Sequence, residues 1–134
     1  MTGSPTPRQP PLAAEIEAMA RRALAGLPRH FRDVLGPIVI RVEEFPDRET
    51  ERAMGLDSPF DLLGLYRGVA LPHKSVSDPH PGIDMIYLYR RPILDYWCGS
   101  GEDLFDIVRH VLIHEIGHHI GFSDEDMERI EGRD

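Results

Sequence analysis

Apolar residues recur at helical spacing in two parts of the chain. Residues 12–26 place their apolar side chains on one face, and the segment ends at Gly26 and Pro28, two residue types that stop helices. Residues 103–120 show the same spacing with more apolar positions, which predicts a second helix that is mostly buried. The inward positions predicted for the first helix are Leu12, Ile16, Met19, Ala20, Ala23 and Leu24.

The chain between these two helices contains three strand candidates, which are residues 37–45, 62–67 and 83–90. The polar segment 46–58 is predicted to be a loop or a short helix, and further helices are predicted at 91–98 and 124–131. This order predicts an α+β domain with an N-terminal helix and a short mixed or antiparallel sheet of about three strands. The long buried helix and a short C-terminal helix complete it.

The N-terminal segment has the composition of a disordered tail. Residues 1–11 hold four prolines among small polar residues, a composition that cannot bury enough apolar surface to fold. The remaining chain is long enough to enclose one core. We therefore expect a disordered tail over residues 1–11 and a single domain over residues 12–134.

Charge and composition exclude several classes of protein. The net charge is −8 at pH 7, whereas a nucleic-acid surface needs clustered Lys and Arg. No apolar run reaches the 18 residues that a membrane span needs, and the N-terminus lacks the apolar core of a secretory signal. Cys98 is the single cysteine, so we expect no intramolecular disulfide, a cytoplasmic location, and burial of this thiol beside Trp97.

Residues 114–124 carry a pattern typical of a catalytic zinc site, His-Glu-Ile-Gly-His-His-Ile-Gly-Phe-Ser-Asp. On a helix, His114 and His118 lie on one face about 6 Å apart, where their imidazoles can hold one zinc ion. Glu115 lies on the adjacent face, where it can act on a water molecule without ligating the metal. Gly121 allows the left-handed turn that ends such a helix.

A third ligand is expected from the chain after this turn. Asp124 comes six residues after His118, and as a ligand it leaves one coordination position open, as a catalytic site requires. Asp124 also fits the first turn of a helix capped by Ser123, and both interpretations can hold together. The alternative carboxylates are Glu125, Asp126 and Glu128.

Two other histidines lie in the same predicted helix. His110 is one turn before His114, so a His110/His114 pair is geometrically possible, but that pair gives the acidic residues of the motif no role. We therefore interpret His110 as a residue that packs near the site or supports a ligand. His119 is rotated about 100° from His118 and is expected to point away from the metal.

The chain resembles the zincin metallopeptidases through the pattern His-Glu-x-x-His-x-x-Gly-x-x-(His/Asp). The matching residues are His114, Glu115, His118, Gly121 and Asp124. Residues 62–68 and 86–94 are similar to segments that precede the zinc helix in compact bacterial minimal zincins, in which aspartate is the third ligand. The resemblance covers roughly residues 12–132. It implies a zincin-like fold, a Zn²⁺ cofactor, and a peptide or protein substrate.

In the mechanism that this resemblance implies, Glu115 takes a proton from the attacking water and passes it to the leaving amine. Zincins also lay an extended substrate along an edge strand beside the zinc helix, and segment 83–90 is either that edge or an ordinary core strand. The candidates for a second hydrogen-bond donor to the reacting carbonyl oxygen are Tyr87, Tyr89, Tyr96 and His110.

Two other functions remain open at this point. One is a non-catalytic module that zinc stabilises, and the other is a metal-dependent hydrolase that acts on another substrate such as RNA. Glu115 argues against both, since a structural site has no use for a general base, and the negative charge argues further against RNA. A monomer is consistent with the sequence, which does not fix the oligomeric state.

Overall fold

The sheet has at its centre the strand that comes last in the sequence. The computed structural model describes residues 9–33, 35–70, 82–119, 121 and 124–132. Within these residues, β1 (Ile38–Glu43) pairs in parallel with β3 (Gly82–Tyr89), and β2 (Gly64–Ala70) pairs antiparallel to β3. The strand order of this described sheet is β1-β3-β2, which confirms the predicted α+β fold with a short mixed sheet.

The helices follow the predicted order with one addition. Their bounds are α1 (Ala13–Ala25), α2 (Arg29–Arg32), α3 (Arg48–Met54), α4 (Arg90–Ser100), α5 (Leu104–His119) and α6 (Asp124–Glu131). The sequence prediction lacks α2, because four residues are too few to show helical periodicity. A 3₁₀ turn at Pro59–Asp61 leads into β2.

Local hydrogen bonds explain where the shorter elements begin and end. The side chain of Asp47 accepts a hydrogen bond of 2.7 Å from the Thr50 N–H, which caps the start of α3. This backbone bond also holds the pKa of the Asp47 carboxyl below its usual value. Gly55 ends α3 at a φ of 63°, a left-handed conformation that favours glycine. The polar segment 46–58 therefore folds as a capped short helix.

The position of β3 decides how residues 83–90 are interpreted. Because β3 has a strand on each side, the edge-strand interpretation is wrong and the core-strand interpretation is correct. Ile86 and Leu88 are fully buried, and Tyr89 is 3% exposed. Within the described part of the chain, β2 forms the edge of the sheet that lies against α5.

Two predictions of burial are wrong. Leu12 is 54% exposed, because it is the extended residue that precedes the first turn of α1, while the other predicted inward positions are buried or pack against the core. Cys98 is exposed rather than buried beside Trp97. The inward face of α4 holds Ile93 and, four residues later, Trp97; Cys98 is rotated about 100° from Trp97 and so faces away from the core.

Helix α5 is buried on two sides by different groups of apolar residues. One side packs against α1 and the sheet through residues that include Val108 and Leu112, both fully buried. The other side contributes Ile113 to a second apolar cluster, which also contains Leu27 and residues of α6. Among the described α6 residues of this cluster, Met127 is fully buried. The predicted buried helix over 103–120 is thus confirmed, and only a narrow stripe of α5 remains open to solvent.

Helix α6 is fixed to α5 at its C-terminal end by one guanidinium group. Arg109 donates hydrogen bonds to the carbonyl oxygens of Ile130 at 3.1 Å and Glu131 at 3.4 Å. The last carbonyl groups of a helix have no partner within the helix, so these bonds satisfy groups that would otherwise need water. Together with the burial of Met127 and Ile130, they fix where Glu131 lies relative to α5.

The predicted tail lies mostly outside the described residues, since the description begins at residue 9. The Pro11 carbonyl accepts a hydrogen bond of 2.8 Å from Arg90 Nε. The boundary between a tail and a domain at residue 12 therefore stays a prediction. In the described part of the chain, no helix has both the length and the apolar character needed to cross a membrane.

Gly64 lies where a larger residue would meet α5, so Gly64→Ala is expected to destabilise the fold. An added Cβ would lie 2.5 Å from Val111 Cγ1 and 3.2 Å from the Tyr87 carbonyl oxygen. Overpacking of this kind lowers the free energy of unfolding by about 1–3 kcal/mol, which urea denaturation can measure. Gly99→Ala is the control, because its Cβ meets no atom within 4 Å. Helix propensity predicts an unchanged or higher stability for that control, and equal losses in both variants would contradict the packing argument.

Arg109→Met is expected to loosen α6 while keeping most of the side chain's length. Loss of the two bonds to the end of α6 should lower the free energy of unfolding by about 1–2 kcal/mol and speed amide hydrogen exchange in α6. The control is Arg129→Met on α6 itself, where an exposed ion pair with Asp126 contributes little. If both variants exchange α6 amides at the wild-type rate, Arg109 does not anchor the helix.

Candidate metal centre

The two motif histidines lie on one face of the last turns of α5. The ring centroids of His114 and His118 are 5.9 Å apart, and the rings are nearly perpendicular at 86°. The side chain of His114 is 28% exposed, and His118 is exposed. The predicted spacing is thus confirmed, and the pair lies on the solvent-facing stripe of a helix whose other sides are buried.

The chain turns sharply after these histidines. Gly121 has a φ of 83°, and its N–H donates a hydrogen bond of 3.3 Å to the His118 carbonyl oxygen. The predicted left-handed glycine is confirmed, and α6 begins three residues later, at Asp124. The side chains of Asp124 and His119 lie outside the described part of the structure, as does Ser123. The third ligand and the orientation of His119 therefore stay predictions.

Glu115 is held against β2, the edge strand of the described sheet. Its Oε1 accepts a hydrogen bond of 3.0 Å from the backbone N–H of Tyr66 in β2. Partial burial raises the pKa of the Glu115 carboxyl above its usual value, while the Tyr66 N–H and the nearby His118 oppose this rise. The carboxyl group is thus fixed in position and more basic than an exposed glutamate, as a general base requires.

A second carboxylate, Glu131, approaches the histidines from α6. Its Oε1 lies 2.8 Å from His110 Nδ1, and its Oε2 lies 3.9 Å from His114 Nε2. The rings of His110 and His114 are close, with centroids 4.0 Å apart and a tilt of 36°. Sequence reasoning did not identify Glu131. The available signal was its spacing, because Glu131 follows the predicted ligand Asp124 by seven residues, an interval at which helical positions recur on one face.

The interpretation of His110 as a packing residue is wrong, because 59% of its side chain is exposed. His110 faces an open groove of about 540 Å³ instead, lined also by Leu63, Tyr96, Glu102 and Glu131. Tyr96 donates a hydrogen bond of 2.5 Å to Glu102 at this groove. Among the candidate second donors, His110 and Tyr96 are thus the two that line the groove.

The donors on these elements have the chemistry of a zinc site. Zinc in proteins is bound by imidazole nitrogen and carboxylate oxygen at about 2.0–2.2 Å, and this region brings both together. Three of the described residues offer ligand atoms that lie within 4.8 Å of one another, namely His110, His114 and Glu131. His118 lies one turn further along the same stripe. The residues present therefore fit a bound transition-metal ion.

Comparison with solved structures supports the fold. The chain is similar to a conserved hypothetical protein from Thermo thermophilus, with 23% identity over 92% of this chain and 100% of that chain. The TM-score of 0.53 shows a shared fold and carries no information on activity. A comparison with curated proteins gives no match.

A family model describes the greater part of the chain. The model of the zincin-like metallopeptidases matches residues 35–133, which include all three strands of the described sheet and both helices of the candidate centre. This match agrees with the resemblance carried by the histidine motif and implies a metal, typically zinc. The chain therefore belongs to the family of zincin-like metallopeptidases.

Proposed function

We propose that this protein is a zinc-dependent peptidase in which His114, His118 and Asp124 hold the ion and Glu115 is the general base. The observation that carries the proposal is the hydrogen bond between Glu115 and the Tyr66 N–H. It holds a partly buried carboxylate beside two histidines spaced for one ion, at the edge strand of the described sheet. A structural metal site has no need of a carboxylate held in this way.

The metal set combines two imidazoles from α5 with one carboxylate from the start of α6. The turn at Gly121 supports this assignment, because α5 ends just before it and α6, which packs against α5, begins three residues later at Asp124. Bound to this set, the ion supplies a Lewis acid that polarises a peptide carbonyl and makes water more acidic. Three protein ligands leave a position for substrate or water, as catalytic zinc sites require.

Glu115 carries out the proton transfers. One of its oxygens accepts the hydrogen bond from Tyr66, which leaves the other oxygen to accept a proton from the attacking water. The same carboxyl group then returns the proton to the amine as the peptide C–N bond breaks. Because its pKa is raised above the usual value, Glu115 is a stronger base toward the attacking water than an exposed glutamate is.

The edge of β2 is the surface on which a peptide can extend the sheet. The Tyr89 N–H donates a hydrogen bond to the Leu63 carbonyl. In an antiparallel pair, the backbone N–H and C=O groups of successive residues point alternately toward and away from the partner strand. Those of Gly64, Tyr66 and Gly68 therefore point away from β3. A peptide strand added at this edge would lie next to Glu115 and would hydrogen-bond to outward backbone groups other than the Tyr66 N–H, which Glu115 already occupies.

Glu115→Gln is expected to abolish cleavage and retain zinc. Glutamine can still accept the Tyr66 hydrogen bond but cannot take a proton, so kcat/KM on a peptide library should fall by at least about 100-fold. The control is Glu49→Gln, an exposed glutamate of α3 far from the motif, which should cleave at the wild-type rate. Full cleavage by Glu115→Gln would assign the activity to another site. Zinc binding without any cleavage by the wild-type protein would favour a non-catalytic zinc module.

Asp124→Asn and His118→Ala are each expected to weaken zinc binding by at least about 100-fold. Each removes a direct ligand, whereas changes to residues that only support ligands cost about 10–100-fold. Competition with a chromophoric chelator measures the affinities, and Glu49→Gln on the exposed face of α3 is the control. Wild-type affinity in Asp124→Asn would show that another carboxylate is the third ligand.

A further inference from the structure

We propose that His110, His114 and Glu131 form a second donor set for a transition-metal ion, which competes with the catalytic set for His114. The ligand atoms of these three residues lie within 4.8 Å of one another. The set itself stands on this geometry alone, while the competition rests on the proposed function, because it requires His114 to be a ligand of the catalytic zinc.

The distances are close to those of a metal site. In tetrahedral zinc with bonds of about 2.0 Å, neighbouring ligand atoms are about 3.3 Å apart. The distance is 2.8 Å between His110 Nδ1 and Glu131 Oε1 and 3.9 Å between His114 Nε2 and Glu131 Oε2, so the two imidazoles approach different oxygens of one carboxylate. Rotation of these side chains would bring one carboxylate oxygen and both imidazoles to a single ion.

One oxygen of this cluster forms no hydrogen bond within the described residues. Glu131 Oε1 is buried and has no hydrogen-bond partner among the described residues, although His110 Nδ1 is only 2.8 Å away. The two atoms are near each other without the geometry of a hydrogen bond. Leaving a buried polar atom unsatisfied is unfavourable. A cation between the carboxylate and the imidazoles satisfies this oxygen.

The cluster is both rigid and open to ions. Glu131 is fixed on α6, whose end is bound by Arg109 and whose apolar face is buried in the second cluster. His110 is largely exposed to the groove, so an ion can reach it from solvent. Two imidazoles and one carboxylate suit Zn²⁺ and neighbouring divalent metals such as Co²⁺ better than Ca²⁺ or Mg²⁺.

The shared histidine makes the two sets exclusive. His110 and His118 lie four residues on either side of His114, and each set needs the imidazole of His114. A neutral imidazole has one nitrogen that can accept, so it binds one ion at a time. An ion held by His110 and Glu131 therefore keeps His114 from the catalytic set. Excess zinc that occupies the second set should inhibit cleavage.

Cobalt titration of His118→Ala tests the second set without reference to activity. This variant removes an exposed ligand of the catalytic set and leaves the other set intact, so it should bind one Co²⁺ per chain, detected by visible absorption. Adding His110→Ala or Glu131→Gln should weaken this binding by at least about 10-fold. Adding Glu49→Gln, at an exposed glutamate of α3, should leave the binding unchanged.

Either of two results would overturn the proposal. One is the absence of Co²⁺ binding to His118→Ala, with circular dichroism showing an intact fold. The other is binding that neither His110→Ala nor Glu131→Gln weakens, which would assign the ion to His114 and another residue. Failure of the wild-type protein to cleave peptides would instead overturn the proposed function, and it would leave the titration result unaffected.

Discussion

The structure depends on burying one helix from two directions. Helix α5 packs against α1 and the sheet on one side and against α6 on the other. Apolar burial of this extent is the main stabilising contribution available to a small domain. It also restricts where polar side chains can lie, because an ionisable group on either packed face would lose its hydration. His110, His114 and His118 share the stripe that remains open.

The neighbours of α5 position the reactive groups that α5 carries. Strand β2 offers the Tyr66 N–H to Glu115, and α6 brings Glu131 to His110 and His114. Neither of these contributions is marked by a sequence motif in β2 or α6. Tyr66 acts through its backbone, and Glu131 acts through where the packing of Met127 and Ile130 places it. The geometry of the candidate centre therefore depends on the two interfaces that β2 and α6 form with α5.

Periodicity made the helices and the histidine pair predictable. Four residues on a helix always return to nearly the same face, so the 5.9 Å between His114 and His118 follows once the helix is assigned. Glycine at position 121 predicted a left-handed turn, since glycine adopts a positive φ without the steric cost that a side chain imposes.

Contacts between elements were not predictable in this way. The central position of β3 depends on how three strands are ordered, and alternation within a strand carries no information about its neighbours. The approach of Glu131 to His110 depends on the angle at which α6 returns. Cys98 shows the same limit on a smaller scale, because a cysteine is usually buried, but its place on α4 turns it to solvent.

The order of strands has a consequence for how the chain folds as it is synthesised. β1 and β2 both pair with β3 rather than with each other, so neither has its native neighbour until β3 has been made. The parallel pairing of β1 with β3 also closes a long segment that contains α3 and β2, and such distant contacts form slowly. α5 follows β3 after only one helix. The nascent chain thus reaches the histidines of the candidate centre soon after its sheet can first assemble.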